Sequence, residues 1–180
     1  RFLDEDLSTR FNDIARKRFD VHIGTGTALE STENGVQLTL DNGTVLEAEA
    51  ILVATGRKPN GDQMDLSTSG IDMHEDGRIK VDDFGRTTCD GVWALGDVSS
   101  PYMLKHVANA EQRAVQHNLL HPEDLHSMPH EHVPSAIFTH PQIATVGLTE
   151  AQARDEGFDI AVKVQNFGDV AYGWAMEDST

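Results

Sequence analysis

A single cysteine, Cys89, stands in 180 residues. One thiol makes neither an internal disulfide nor a redox pair within this chain, and it makes a reducing, cytoplasmic compartment the simpler expectation. No apolar run approaches the roughly 18 residues that a membrane-spanning helix needs. The N-terminus lacks the charged, apolar and small-residue zones of a signal peptide. Positive charge is scarce: 14 Lys and Arg against 30 Asp and Glu leave a net charge of -16. So acidic a surface repels phosphate backbones and anionic headgroups, so no nucleic acid and no membrane is expected as a partner. There is no internal repeat. What is present is a 38% apolar content, enough to bury the core of one ordinary domain or two small ones. The chain starts at Arg1, directly before a helical pattern, and stops at Thr180, a few residues after an expected strand. Both ends read as cuts in something longer.

The pattern along the chain is mixed. Leu3, Leu7, Phe11, Ile14 and Ala15 recur at helical spacing, with Asp4 to Asp6 ahead and Arg16 to Arg18 behind, where the helix dipole favours each sign. Val21 to Ile23 reads as a short strand broken by Gly24 and Gly26. Val36, Leu38 and Leu40 alternate with polar residues, Asp41-Asn42-Gly43 signals a turn, and Thr44 to Leu46 returns antiparallel. Ile51-Leu52-Val53-Ala54 is continuously apolar, the mark of a buried central strand, and Val92-Trp93-Ala94-Leu95 reads the same way. Ile79 to Val81 reads as a short strand. A helix is expected over 105–120, its period marked by Val107, Ala110 or Glu111, Ala114, Val115 and Leu119, with Pro122 closing it. Residues 121–132 form a polar, His-rich linker. Beyond it Ala136 to Thr139 reads as a strand, Thr149 to Gln152 as a capping box, Gly157 as a helix stop, and Ile160 to Val164 as an alternating strand.

Three segments then fall in order: Ile51-Leu52-Val53-Ala54-Thr55-Gly56-Arg57-Lys58-Pro59-Asn60; Gly91 to Val98 with its Gly96-Asp97 end, leading into Met103-Leu104-Lys105-His106-Val107-Ala108; and Val133 to Pro141 followed by Val146-Gly147-Leu148-Thr149-Glu150. Together they closely resemble the flavin-dependent pyridine nucleotide-disulfide oxidoreductases, the group of glutathione reductase and dihydrolipoamide dehydrogenase. Leu104 to Glu111 and Val115 to Leu120 further resemble the mycothione reductases, actinobacterial enzymes that reduce the disulfide of mycothiol. The resemblance implies an α/β fold: the second part of an FAD/NAD(P)-binding Rossmann-like domain pair plus the start of an α+β dimerisation domain. It implies residues 1–50 as the C-terminal part of the NAD(P)-binding domain, 51–125 as the second part of the FAD-binding domain and 133–180 as the start of the dimerisation domain. The full-length parent is expected to be a homodimer passing electrons from NADH or NADPH through FAD and a redox dithiol to a small-molecule disulfide, mycothione by the finer resemblance. Siblings acting on glutathione or lipoyl groups, and a non-catalytic module in the chain as it stands, are the alternatives. The family's Gly-rich FAD loop, its Cys-x4-Cys dithiol and its second Gly-rich fingerprint are not in these 180 residues, so this chain alone is expected to be inactive and to hold no catalytic residue.

The resemblance also names residues. Asp97, after Gly96, ends an expected strand at the carboxyl edge where open α/β sheets bind ligands; its plain reading is a turn cap, and its family role is to bind the ribityl and pyrophosphate region of FAD. Met103, Leu104, Lys105 and His106 open the next helix, whose first-turn amides favour negative charge; the family sets this start beside the flavin. Gly56 permits close backbone approach, and it and Arg57 would lie near the nicotinamide nucleotide; the plain reading is an interdomain turn. Seven of the nine His lie between 106 and 140. His117 and His121 sit one helical turn apart, but the linker has no fixed ligand spacing, so no metal is expected. Cys89, beside Asp90 in a turn, reads as non-catalytic, Trp93 and Phe138 read as core, and Trp174 as core or interface.

Overall fold

The computed structural model describes residues 3–177. The chain divides into two compact units: Arg1–Lys17 with Ala136–Thr180, and Arg18–Ser135.

In the first unit, α1 spans Glu5–Arg16, with Glu5 and Asp6 in its first turn and Arg16 in its last. No side chain of α1 is fully buried. The strands β4 (Ser135–Ile137) and β5 (Ile143–Thr145) pair in a two-stranded sheet. Helix α3 (Glu150–Asp155) opens on the expected capping box: Thr149 Oγ1 accepts from Gln152 N, and Gln152 Oε1 accepts from Thr149 N at 2.9 Å. The chain leaves the helix through Gly157, whose φ of +83° is the left-handed conformation such an exit needs. Asp4 Oδ1 accepts from Glu150 N at 2.8 Å and so satisfies one of the amides at the start of α3. A short helix α4 (Ala171–Ala175) follows a 3-10 turn at Phe167–Asp169; apart from Trp174 and the strand expected before it, nothing in the sequence patterning announced this end. The expected strand over Ile160 to Val164 is irregular, and Phe138, expected in the core, is 85% exposed.

The second unit begins with an antiparallel sheet in the order β1 (Gly26–Thr32), β2 (Gly35–Leu40) and β3 (Val45–Ala48). The Asp41-Asn42-Gly43 turn joins β2 to β3 as expected, with Leu38 opposite Leu46 and Thr39 opposite Val45. Val21 to Ile23, expected as a strand, is irregular. The core lies farther along, where Leu66, Ile71, Ile79 and Ala94 cluster and Val81, Cys89 and Val98 cover them. Ile79 and Trp93 take part only in isolated bridges, to Met73 and Arg86, so neither of the two short strands expected there extends.

The largest correction concerns Ile51 to Ala54. The run is not a strand, and Leu52 and Val53 are exposed. A strand exists only through hydrogen bonds to a neighbour, and among the described residues none pairs with this one.

Helix α2 (Lys105–Leu120) agrees with the expected limits. Its buried face is Val107, Glu111, Ala114, Val115 and Asn118; Leu119, expected on that face, points outward and is exposed. The two most completely buried side chains described, Glu111 and Asn118, are both polar and lie seven residues apart on this face. Asn118 Nδ2 donates to Phe84 O at 3.0 Å and His126 O at 2.9 Å, and its Oδ1 accepts from His126 N at 2.7 Å. That amide ties the loop before Gly85 and the segment after α2 to one helix position.

Gly85 has φ +90°, and an added Cβ would lie 2.6 Å from Met128 Cε and 2.8 Å from Val115 Cγ2, whereas Gly43, with φ +84°, faces open space. Gly43→Ala should cost about 1 kcal/mol of unfolding free energy, from the left-handed backbone alone, and Gly85→Ala roughly 2–4 kcal/mol, because overpacking adds to that strain; urea titrations of both variants measure the difference. Asp82 Oδ1 accepts from Phe84 N at 3.0 Å and Arg86 N at 2.9 Å, and its Oδ2 from Arg86 Nε at 2.7 Å. Partial burial raises its pKa, but these hydrogen bonds outweigh it and hold the carboxyl below its usual 3.8. The stabilisation is therefore complete above the unfolded-state value and is lost as the pH falls through the lower folded-state one. Asp82→Asn should cost about 0.5–1 kcal/mol at neutral pH, modest because the pair is partly solvated, and the gap to wild type should close in acid; a gap unchanged with pH would show that charge does not hold the loop.

Candidate functional site

The apolar stretch before Gly96 brings the chain to a sharp turn. Leu95 is extended, Gly96 has φ +71°, and Gly96–Val98 forms a single 3-10 turn. Gly96 O accepts from Ser99 N at 2.9 Å and Ser100 N at 2.7 Å, which closes the turn, and both serines are buried. Asp97 is thereby carried outward, with about half of its side chain exposed. An added Cβ at Gly96 would meet only Ala108 Cβ, at 3.4 Å, so the positive φ is the main demand for glycine there.

Eight residues after Asp97, α2 begins. Met103, just ahead of it, has φ +48°, a left-handed conformation unusual for a residue with a side chain. Leu104 is the N-cap and offers no side-chain acceptor. The first-turn amides of α2 are thus not capped from within the helix, while Lys105 and His106 expose their side chains. An uncapped helix start offers unpaired N–H groups and the positive end of the dipole to an electron-rich ligand.

The third element is the irregular segment after Ala54. Gly56, with φ +130°, touches nothing at its Cβ position, and Arg57 reaches over: its Nη1 donates to Asp97 Oδ2 at 3.0 Å and to Met103 O at 3.4 Å. Arg57, Lys58, Pro59, Asn60, Met64, Asp97, Val98 and Met103 line an open cleft of about 460 Å³. Of the residues expected in the site, the structure therefore brings Arg57, Asp97 and Met103 together. It sets Gly96, Leu104, Lys105 and His106 on the flanking turn and helix start. Gly56 adjoins Arg57 but does not line the cleft. Lys58, Pro59, Asn60, Val98 and Met64 were not foreseen as lining; the first four lay within the quoted segments, whereas nothing in the pattern pointed to Met64.

The chemistry of the cleft is that of recognition. It offers the Asp97 carboxylate as an acceptor and the Arg57 guanidinium and Lys58 ammonium as donors, with the start of α2 on its flank. It contains no thiol. A larger open hollow of about 800 Å³ lies elsewhere in the same unit, between the loop 80–93 and the end of α2. Cys89 borders it, half-buried against the core with its Sγ 3.9 Å from Asp90 O. Beside that end of α2, His117, Asp124 and His126 place their ligand atoms within 4.8 Å of one another. The rings of His117 and His126 stack at 3.6 Å and 11°, and His117 Nε2 is 2.8 Å from Asp124 O. The two imidazoles thus form a packed stack beside the end of α2.

The known proteins that share this chain's pattern decide its family. Residues 1–114 match the model of the pyridine nucleotide-disulphide oxidoreductases, and residues 133–180 match the dimerisation domain of the same enzymes. The chain belongs to the pyridine nucleotide-disulphide oxidoreductase family. It is 51% identical to the mycothione reductase of Mycobacterium tuberculosis over 100% of its length, covering 40% of that protein. It is 35% identical to a glutathione reductase of Burkholderia cepacia over 90% of its length, covering 36% of that protein. Among solved structures, the HOCl-induced flavoprotein disulfide reductase RclA of Escherichia coli superposes with a TM-score of 0.85 at 29% identity, over 98% of this chain and 41% of that one. The chain thus spans about 40% of the length of the relatives it matches. The α/β fold class expected from the sequence is that of this family. No helix among the described residues is long and apolar enough to cross a membrane.

Arg57 and Asp97 form an ion pair in which both side chains are more than half exposed. Such pairs contribute little to stability, so Arg57→Ala should shift the unfolding free energy by less than about 1 kcal/mol; thermal or urea unfolding checks this. A larger loss would make Arg57 a structural clamp instead of a residue free to engage a ligand.

Proposed function

We propose that this chain is the part of a flavoprotein disulfide reductase that holds the ribityl and flavin end of FAD, and that the full-length enzyme reduces mycothione with NADPH or NADH. The observation that carries the cofactor reading is the Gly96-Asp97 turn, which presents a solvent-facing carboxylate a few residues before the uncapped start of α2. A ribityl chain is a row of hydroxyl donors, which a carboxylate accepts well, and a reduced flavin is electron-rich, which helix-start amides favour. The residues present fit that end of the cofactor. Asp97 would orient the ribityl chain, the amides of Leu104 to His106 would face the ring, and Arg57 with Gly56 would lie toward the nicotinamide nucleotide. FAD supplies the two-electron relay between a nicotinamide and a thiol pair; this chain's residues bind and orient it. The redox dithiol belongs to a part of the enzyme other than these residues, because Cys89 is the single cysteine here.

The substrate reading rests on similarity: 51% identity to mycothione reductase over the whole chain, against 35% to glutathione reductase and 37% to a dihydrolipoyl dehydrogenase of Halobacterium salinarum. In domain terms we assign 1–50 to the NAD(P)-binding domain, 51–125 to the FAD-binding domain and 133–180 to the dimerisation domain of a homodimer. The exposed run Ile51 to Val53 is then surface that the rest of the FAD-binding domain covers. A cytoplasmic location fits the unpaired thiol, and the isolated chain is inactive in this reading.

In the full-length enzyme Asp97→Ala should weaken FAD retention by roughly ten- to one-hundredfold, the worth of one hydrogen bond to a charged group. Excess FAD should restore part of the disulfide reductase rate. Asp65→Asn should leave FAD affinity unchanged, because Asp65 lies outside the cleft, where its backbone caps a 3-10 turn. FAD titration with activity followed at each concentration tests this. Equal affinity for wild type and D97A would remove Asp97 from the cofactor site.

A further inference from the structure

Glu111 has no part in the reading above, yet it is the most constrained charge described. Its side chain is 1% exposed on the inner face of α2. A buried carboxylate is tolerated only where donors and an opposite charge compensate its lost hydration, and here two donors do so. Gly96 N donates to Glu111 Oε2 at 2.6 Å. His130 Nε2 lies 2.6 Å from Glu111 Oε1. A carboxylate only accepts, so the short contact fixes His130 Nε2 as a donor, and the ring completes an ion pair when its other nitrogen is also protonated. His130 is itself held: Tyr102 Oη donates to His130 O at 3.0 Å, and the two rings meet edge-on at 5.2 Å.

Gly96 N is the amide that opens the turn carrying Asp97. With Gly96 in the left-handed region, rotation at this one residue swings the Asp97 side chain. The bond to Glu111 removes that freedom, and it does so from a helix whose own start adjoins the same cleft. Without it, the entry to the turn at Gly96 N would be unheld, and Asp97 would keep only the turn's own Ser99 and Ser100 bonds and its exposed contact with Arg57. We propose that Glu111 is a positioning residue for the Asp97 carboxylate, with His130 as its partner on the segment that follows α2. The assignment rests on the reading that Asp97 binds the ribityl chain. It makes FAD affinity depend on a helix residue that touches no cofactor and on a histidine nineteen positions farther along the chain.

The test is a double-mutant cycle on the full-length flavoenzyme, with FAD removed and its affinity measured by titration, and thermal unfolding run in parallel. Glu111→Met should weaken FAD binding about tenfold in the wild-type background, in line with loss of a hydrogen bond to a charged group. In the D97A background the same change should cost less than about threefold, because residues that act through one another are not additive. Glu111→Gln keeps an acceptor oxygen for Gly96 N and should remain within about threefold of wild type. If the Met variant does not fold, His130→Gln carries the cycle from the half-exposed side of the pair, with a roughly three- to tenfold loss that again vanishes in the D97A background. Wild-type FAD affinity in Glu111→Met and His130→Gln, or an equal loss with and without Asp97, overturns the proposal alone. Wild-type affinity in D97A itself overturns the reading on which it rests, and the proposal with it.

Discussion

Burial of the Glu111 carboxylate is the constraint on which the geometry around the Gly96 turn depends. Removing a charge from water costs several kcal/mol unless hydrogen bonds and an opposite charge compensate, so every group that compensates is fixed in place by the need. The turn at Gly96, the helix α2 and the segment at His130 meet at that one side chain. Seven residues on, Asn118 repeats the device with neutral chemistry, binding the loop at Phe84 and the backbone of His126. The two polar groups fall on the apolar face of α2, among Val107, Ala114 and Val115. The helix therefore does two jobs: its apolar side chains contribute burial, and its two polar ones set where irregular segments lie. That division suits a binding site built from loops, because burial is non-directional and hydrogen bonds are not.

Local patterns were legible in the sequence where local physics decides the outcome. The amphipathic period of α1, the Asp-Asn-Gly turn between β2 and β3, the limits of α2 and the capping box of α3 each depend on residues within a few positions of one another. Ile51 to Ala54 shows the opposite case. Its composition is that of a central strand, but strand formation depends on a neighbour, and none of the described residues supplies one. Val92 to Leu95 likewise reached only an isolated bridge. The apolar residues that failed to find cover, Leu52 and Val53 among them, belong to a chain that spans about 40% of its relatives' length.

The site divides in the same way. Asp97, Met103 and Arg57 were reached through motif resemblance, and the structure draws them around one cleft. Glu111 was visible as one of two candidate positions in a helical period and as the end of a quoted segment, neither of which gave it a role, and a buried glutamate breaks the pattern that made the helix recognisable. His130 stood in a His-rich linker whose composition suggested solvation. Their pairing joins positions nineteen apart across a helix end, a relation that periodicity cannot express. Of the pair that spacing did single out, His117 stacks on His126 and His121 packs against His117 at a tilt.

In the proposed function, the Gly96-Asp97 turn and the start of α2 form the flavin end of an FAD site. A crystal structure of the full-length protein with FAD bound tests it most directly. The account predicts a ribityl hydroxyl about 2.6–3.0 Å from an Asp97 carboxylate oxygen, the flavin ring against the first turn of α2, and Gly96 N still donating to Glu111. An FAD whose ribityl chain lies beyond hydrogen-bonding reach of Asp97, with that carboxylate still engaged only by Arg57, would contradict it.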